Sequence, residues 1–104
     1  MDFEEIIMNI IINGGSARSH SMEAIHYAKI GNFPEARLSL IKAEDDLLMA
    51  HNVQTSLIQN EASGNKIEVS LLMVHAQDHL MNAMTIKDIA LEFVDMYEKF
   101  FETK

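Results

Sequence analysis

Apolar residues recur at helical spacing along nearly the whole chain, in three long segments covering roughly residues 2 to 30, 34 to 62 and 65 to 102. Two short connectors interrupt them. In the first, Gly31-Asn32-Phe33-Pro34, a glycine ends one helix and a proline stands in the first turn of the next. In the second, Ser63-Gly64-Asn65-Lys66, Gly64 suits a left-handed C-terminal cap and Asn65 an N-cap. Connections this short make successive helices antiparallel neighbours. The expected architecture is therefore all-α, an antiparallel three-helix bundle forming one domain over residues 1–104. Gly14-Gly15 falls inside the first helix, where it could kink the helix, break it, or let another backbone approach closely.

The third segment carries two apolar faces. On a helical wheel starting at Ile67, the residues Val69, Leu72, Met73, Ala76, Leu80, Ala83 and Met84 share one broad face, the one expected to meet the other two helices. A narrower seam runs along Ile67, Leu71, Val74 and Met81 with heptad spacing, and Asp78 fills its vacant position. A three-helix bundle has one interior, so the second seam is expected to be buried against other copies of the chain. An acid within such a seam is costly if charged and unpaired, which predicts that Asp78 is protonated, hydrogen-bonded or bound to a cation. Between the two faces lies a polar sector holding Glu68, His75, His79 and Asn82, with Gln77 on the opposite flank of the seam. Seam-to-seam packing would bring His75 of one subunit towards Gln77 of the next.

Composition narrows the range of functions. With no Trp, five Phe, two Tyr and eight Met, the core is expected to be aliphatic and Met-rich, and one Pro with four Gly is too few turn residues for a β-sandwich. A net charge of −8 opposes binding to nucleic acid and to anionic membranes. The absence of cysteine removes disulfides, thiolate nucleophiles and Cys-based zinc sites, and is compatible with the cytoplasm. The opening Met1-Asp2-Phe3-Glu4-Glu5 lacks the basic start of a signal peptide, and no apolar run reaches membrane-spanning length. The stretch AIHYAKIGNFPEA, from Ala24 to Ala36, resembles half a tetratricopeptide repeat, but no second copy follows, leaving a helical hairpin.

Of the five histidines, His20, His26 and His51 read as ordinary satisfied or solvent-facing residues, whereas His75 and His79 stand in a more informative setting. The run His75-Ala76-Gln77-Asp78-His79 has the histidine spacing of a zinc peptidase helix, but Ala76 occupies the position of the general-base glutamate. A di-iron bundle fails as well, because Glu23-Ala24-Ile25-His26 is a lone Glu-x-x-His motif. A phosphohistidine carrier asks for less: one exposed imidazole nucleophile, with neighbours that orient it and stabilise the moving phosphoryl group. His75, with His79 and Gln77 in support, meets that requirement.

The run Ser70-Leu71-Leu72-Met73-Val74-His75-Ala76-Gln77-Asp78-His79-Leu80-Met81 closely resembles the active-site helix of the lactose/cellobiose EIIA family of the bacterial sugar phosphotransferase system. Further similar stretches are Glu5-Ile6-Ile7-Met8, Ala17-Arg18-Ser19, Met22-Glu23-Ala24-Ile25, Ala28-Lys29-Ile30-Gly31 and Ala50-His51 through Gln54-Thr55 to Glu61-Ala62-Ser63-Gly64, so the resemblance spans almost the whole chain. It implies a homotrimer of three-helix subunits, with His75 phosphorylated and Asp78 as the cation-binding acid on the threefold axis. An oxygen-only cluster there suits Mg²⁺ or a similar hard cation better than zinc. By the same resemblance His75 takes its phosphoryl group from the phosphocarrier HPr and passes it to a cysteine of the EIIB subunit. The membrane EIIC subunit then imports and phosphorylates the sugar. The alternatives are a helical hairpin adaptor without chemistry and a histidine phosphotransfer domain of a two-component relay.

Overall fold

The computed structural model describes residues 3–102, which form three α-helices: α1 (Phe3–Lys29), α2 (Phe33–Ala62) and α3 (Leu71–Glu102). They pack as an antiparallel bundle measuring 58 × 20 × 19 Å, so the interior is a narrow channel along a rod. No helix among the described residues is long and apolar enough to cross a membrane.

Heptad spacing of small residues lets the helices approach so closely. On α1 the buried positions are Ile7, Gly14, Ser21 and Ala28, interleaved with Ile10, Ala17 and Ala24. Helix α2 contributes Ala36, Ala43, Ala50 and Leu57, interleaved with Leu40, Leu47 and Gln54. Helix α3 contributes Ala76, Ala83 and Ala90 beside Met73, Leu80 and Val94. A seven-residue repeat keeps one stripe facing its partners along long helices, and alanine in that stripe brings the axes together. The core is therefore aliphatic, as expected, but Ala-rich rather than Met-rich: Met73 is buried, whereas Met8, Met22, Met49, Met81 and Met96 are exposed. Alanine at the closest positions leaves room for few long side chains; Met73 is where methionine enters the core, and Met84 packs against that core.

Both connectors close with the same cap. At the end of α1, Gly31 is left-handed (φ 79°), its N–H donates to the Ala28 carbonyl at 3.0 Å, and the Asn32 N–H donates to the Tyr27 carbonyl at 2.9 Å. At the end of α2, Gly64 (φ 99°) donates to the Glu61 carbonyl and Asn65 to the Asn60 carbonyl. These are Schellman caps, which satisfy carbonyls that the helix leaves open. Pro34 stands in the first turn of α2 behind Asn32, whose side chain accepts from the Glu35 N–H.

The third helix starts six residues later than expected. Asn65 is not its N-cap: its backbone N–H closes α2 by donating to the Asn60 carbonyl, and residues 65–70 run without regular structure. Ser70 caps α3 instead: its hydroxyl accepts from the Met73 N–H at 3.1 Å and its carbonyl from the Val74 N–H. Ile67, Glu68 and Val69 therefore leave the wheel on which they were placed. Ile67 is half-buried against the core, Val69 is exposed, and Leu72 in the first turn is also exposed. Ser70→Ala should cost about 1 kcal/mol of stability, measurable as a lower urea midpoint at unchanged slope.

Ion pairs tie α2 to α3. Arg37 donates to Asp95 at 2.7 Å and Glu98 at 2.9 Å, and the Lys87 ammonium lies 2.7 Å from Glu44. The hydrogen bond to Glu44 raises the lysine's pKa, so this pair is intact below the ordinary lysine range and is lost only as pH rises beyond it. At the far end, Phe33 and Phe101 meet edge to face at 5.5 Å, with the Phe101 ring lying over Gly31.

Candidate functional site

The Ser70 cap sets the start of α3 and with it the position of the candidate run from His75 to His79. His75 is exposed in the second turn, one turn before His79 on the same face. Their rings stack, with centroids 5.8 Å apart and planes inclined by 21°. His79 is half-buried because it lies against α1 at the Gly14-Gly15 pair. A β-carbon on Gly14 would stand 3.2 Å from His79 Cδ2, and one on Gly15 3.3 Å from His79 Nε2. The pair does not break α1; at Gly14 the backbone of α3 at His79 and Leu80 comes close, and the His79 imidazole lies against both glycines.

Gln77 points elsewhere. Residues two apart on a helix do not share a face, and Gln77 is half-buried towards α2, where its carbonyl oxygen accepts a hydrogen bond from the Gln54 amide. Its own amide lies 3.7 Å from the Met73 sulfur. Within one chain, then, His75 and His79 come together while Gln77 is held apart on the opposite flank. Gln54 was not foreseen as its partner, although a glutamine continuing the Leu40, Leu47 stripe at heptad spacing is a buried polar group in need of one.

Asp78 is exposed, and its carboxylate accepts a 3.4 Å hydrogen bond from the Asn82 amide. Leu71, Val74 and Met81 share its edge of α3 with 86%, 51% and 50% of their surface exposed, so three adjoining apolar side chains flank a carboxylate on an open strip. Beside it lies a groove of about 490 Å³ lined by Leu57, Ile58, Ile67, Met73, Gln77 and Asp78, among others. No group of three or more His, Asp or Glu side chains able to hold a metal occurs among the described residues. One chain therefore offers a single carboxylate at this place.

The other histidines are separate from the site. His26 and His51 are exposed, and His20 sits half-buried between α1 and α2. There it faces Glu23 at 3.5 Å and Asp46 at 3.8 Å, while Ser16 donates to Asp46. It serves the contact between two helices.

The family described as "PTS system, Lactose/Cellobiose specific IIA subunit" matches residues 5–98. The chain belongs to this family. Among similar IIA proteins, the lichenan-specific phosphotransferase enzyme IIA component of Bacillus subtilis is 56% identical over 99% of this chain and 94% of its own length. The N,N'-diacetylchitobiose-specific EIIA component of Escherichia coli strain K12 is 42% identical, over 94% of this chain and 84% of its own. The crystal structure of the cellobiose-specific enzyme IIA from Bacillus anthracis superimposes with a TM-score of 0.95 at 48% identity, covering 100% of this chain and 96% of that one. A IIA chain in solution structures of the Escherichia coli IIA(chitobiose)–HPr complex does so with a TM-score of 0.83 at 40% identity, covering 96% and 97%. The fold of an EIIA component and a role in the phosphotransferase system follow from membership.

Proposed function

We propose that this EIIA accepts a phosphoryl group from phospho-HPr on His75 and donates it to the EIIB subunit of a sugar transporter, working in the cytoplasm. The observation that carries this is the exposed His75 imidazole, stacked on His79 at the start of α3, in a chain of the IIA family. In the accepting step a lone pair of the His75 ring attacks phosphorus as the donor's bond to phosphorus breaks and the donor keeps that electron pair. In the second step a cysteine thiolate of EIIB attacks, and the bond between phosphorus and His75 breaks. On this reading His79 hydrogen-bonds the phosphoryl oxygens or holds the ring that carries them, and its stacking on His75 supports that role. The partnership of a related IIA chain with HPr, seen in the Escherichia coli complex, supports the donor.

Incubation with phosphoenolpyruvate and the general phosphotransferase enzymes should label His75 with acid-labile, base-stable phosphate. Labelling that depends instead on a response regulator would identify a two-component relay, and no labelling by either donor would leave a helical adaptor. His79→Ala is expected to slow labelling roughly ten- to hundredfold without abolishing it, since a neighbour one turn away orients or hydrogen-bonds but cannot replace the nucleophile. Stopped-time labelling checks this, and a wild-type rate would make His79 a bystander.

The assembly we propose is a homotrimer with the strip of Leu71, Val74, Asp78 and Met81 at its axis. The open apolar edge supports it, because three copies would bury side chains that one copy leaves in water. The same symmetry would gather three Asp78 carboxylates, an all-oxygen donor set suited to Mg²⁺, with water completing its coordination. The cation would neutralise their mutual repulsion. Gln77, on the flank opposite His75, would then face the histidine of an adjacent subunit.

A further inference from the structure

We propose that Gly15 is a positioning residue for phosphoryl transfer, acting through His79. This rests on the proposed role of His75 as the phosphoryl carrier.

Helix α1 places two consecutive glycines where any other helix-former would stabilise it more, and it continues through them as one helix with no positive φ at either. Neither turn geometry nor backbone freedom accounts for them. What accounts for them is the ring laid against them. The Cδ2–Nε2 edge of His79 lies on the glycine pair, with Cδ2 over Gly14 and Nε2 over Gly15. In a five-membered ring the opposite corner carries Nδ1, which is therefore turned away from α1. The edge contact sets the plane of the ring, and that plane lies within 21° of the His75 imidazole. The glycines thus form a flat shelf that holds His79 parallel to the nucleophile's ring, with one nitrogen left to meet a phosphoryl group carried there.

The two positions differ in what a methyl group would displace. At Gly14 it would meet the backbone of Leu80 and His79, at 3.7 and 3.8 Å, as well as the ring, so α3 itself is packed there. At Gly15 it would meet His79 Nε2 alone, at 3.3 Å. This is tighter than ordinary contact, and the movable group is the tip of the side chain. Gly15→Ala therefore tilts or lifts one ring by a few tenths of an ångström while leaving the bundle in place.

Two properties should move in opposite directions. Alanine is the better helix residue, so the melting temperature of Gly15→Ala should equal or exceed that of wild type. Labelling of His75 by phospho-HPr should nevertheless slow, roughly three- to tenfold for so small a displacement. The loss should vanish in a His79→Ala background, where Gly15→Ala has no ring to move, giving a non-additive double-mutant cycle. Imidazole ¹⁵N resonances of His79 should shift in Gly15→Ala, with those of His20, His26 and His51 unchanged. The test uses the full chain with phosphoenolpyruvate and the general phosphotransferase enzymes. Wild-type labelling of His75 with an equal rate in Gly15→Ala would overturn the inference and leave the proposed function standing. So would a rate loss of the same size in the His79→Ala background, or a fall in melting temperature, since either would place the effect in the backbone. Label found elsewhere than His75 in the wild type would overturn the function, and the role of Gly15 with it.

Discussion

His75→Ala should incorporate no acid-labile phosphate from phospho-HPr while melting close to the wild-type temperature. The first half follows from chemistry: the variant has no ring nitrogen at the position proposed to form the bond to phosphorus, and His79 stands one turn away from that position, half-buried with one edge laid on Gly14-Gly15. The second half follows from packing. His75 is exposed and its ring stacks on His79 at the surface of α3, so truncation opens no cavity. Surface substitutions of this kind usually change stability by no more than about 0.5 kcal/mol. Labelling comparable to wild type would remove His75 from the mechanism; loss of label together with loss of the helical melt would make the residue structural. Uptake of lactose, cellobiose and chitobiose by a strain lacking the chain would then identify the sugar, which the carrier itself never has to hold.

Asp78→Leu should keep the proposed trimer and is expected to stabilise it by roughly 1–4 kcal/mol, as apolar replacement of buried ionic groups often does. The substitution completes an apolar strip with Leu71, Val74 and Met81, each of which exposes half or more of its surface in the single chain. Three like charges at one axis repel unless a cation or protons intervene. Removing them also removes the reason for a cation. Chelator should therefore weaken the wild-type assembly and leave Asp78→Leu unaffected, as measured by sedimentation and by melting. A variant that falls to monomers, or wild-type chains that sediment as monomers at all concentrations, would refute the axial arrangement.

Much of this protein is set by local sequence. Gly31 and Gly64 take the left-handed conformations expected of them, Pro34 opens α2, and the helices stop where these residues require. A glycine or proline imposes its preference through its own covalent structure, whatever surrounds it. The run from Ser70 to Met81 likewise marks the candidate site, since His75 and His79 one turn apart must share a face on any helix, and their rings do stack. The Ala-rich stripes are also present in the sequence, at Ala36, Ala43 and Ala50 and again at Ala76, Ala83 and Ala90, whereas the number of methionines carries no position and so implies a different core.

Other features depended on groups far apart in sequence. As sequence, Asn65 could cap α3 or belong to the end of α2; in the fold its N–H closes α2 on the Asn60 carbonyl, and the side-chain acceptor that caps α3 is the Ser70 hydroxyl. The consequence is that Ile67 turns into the core and leaves the outer seam. Gln77 could be placed on a flank by periodicity, yet its partner Gln54 lies on α2 and is brought there only by the packing of two helices. Gly14-Gly15 allowed three outcomes as sequence because glycine permits all of them. The choice among them was made by His79, more than sixty residues away along the chain and in contact across the bundle. Periodicity determines which side of a helix a residue occupies; only the tertiary fold determines what stands opposite, because that depends on how closely and in what register the other helices pack.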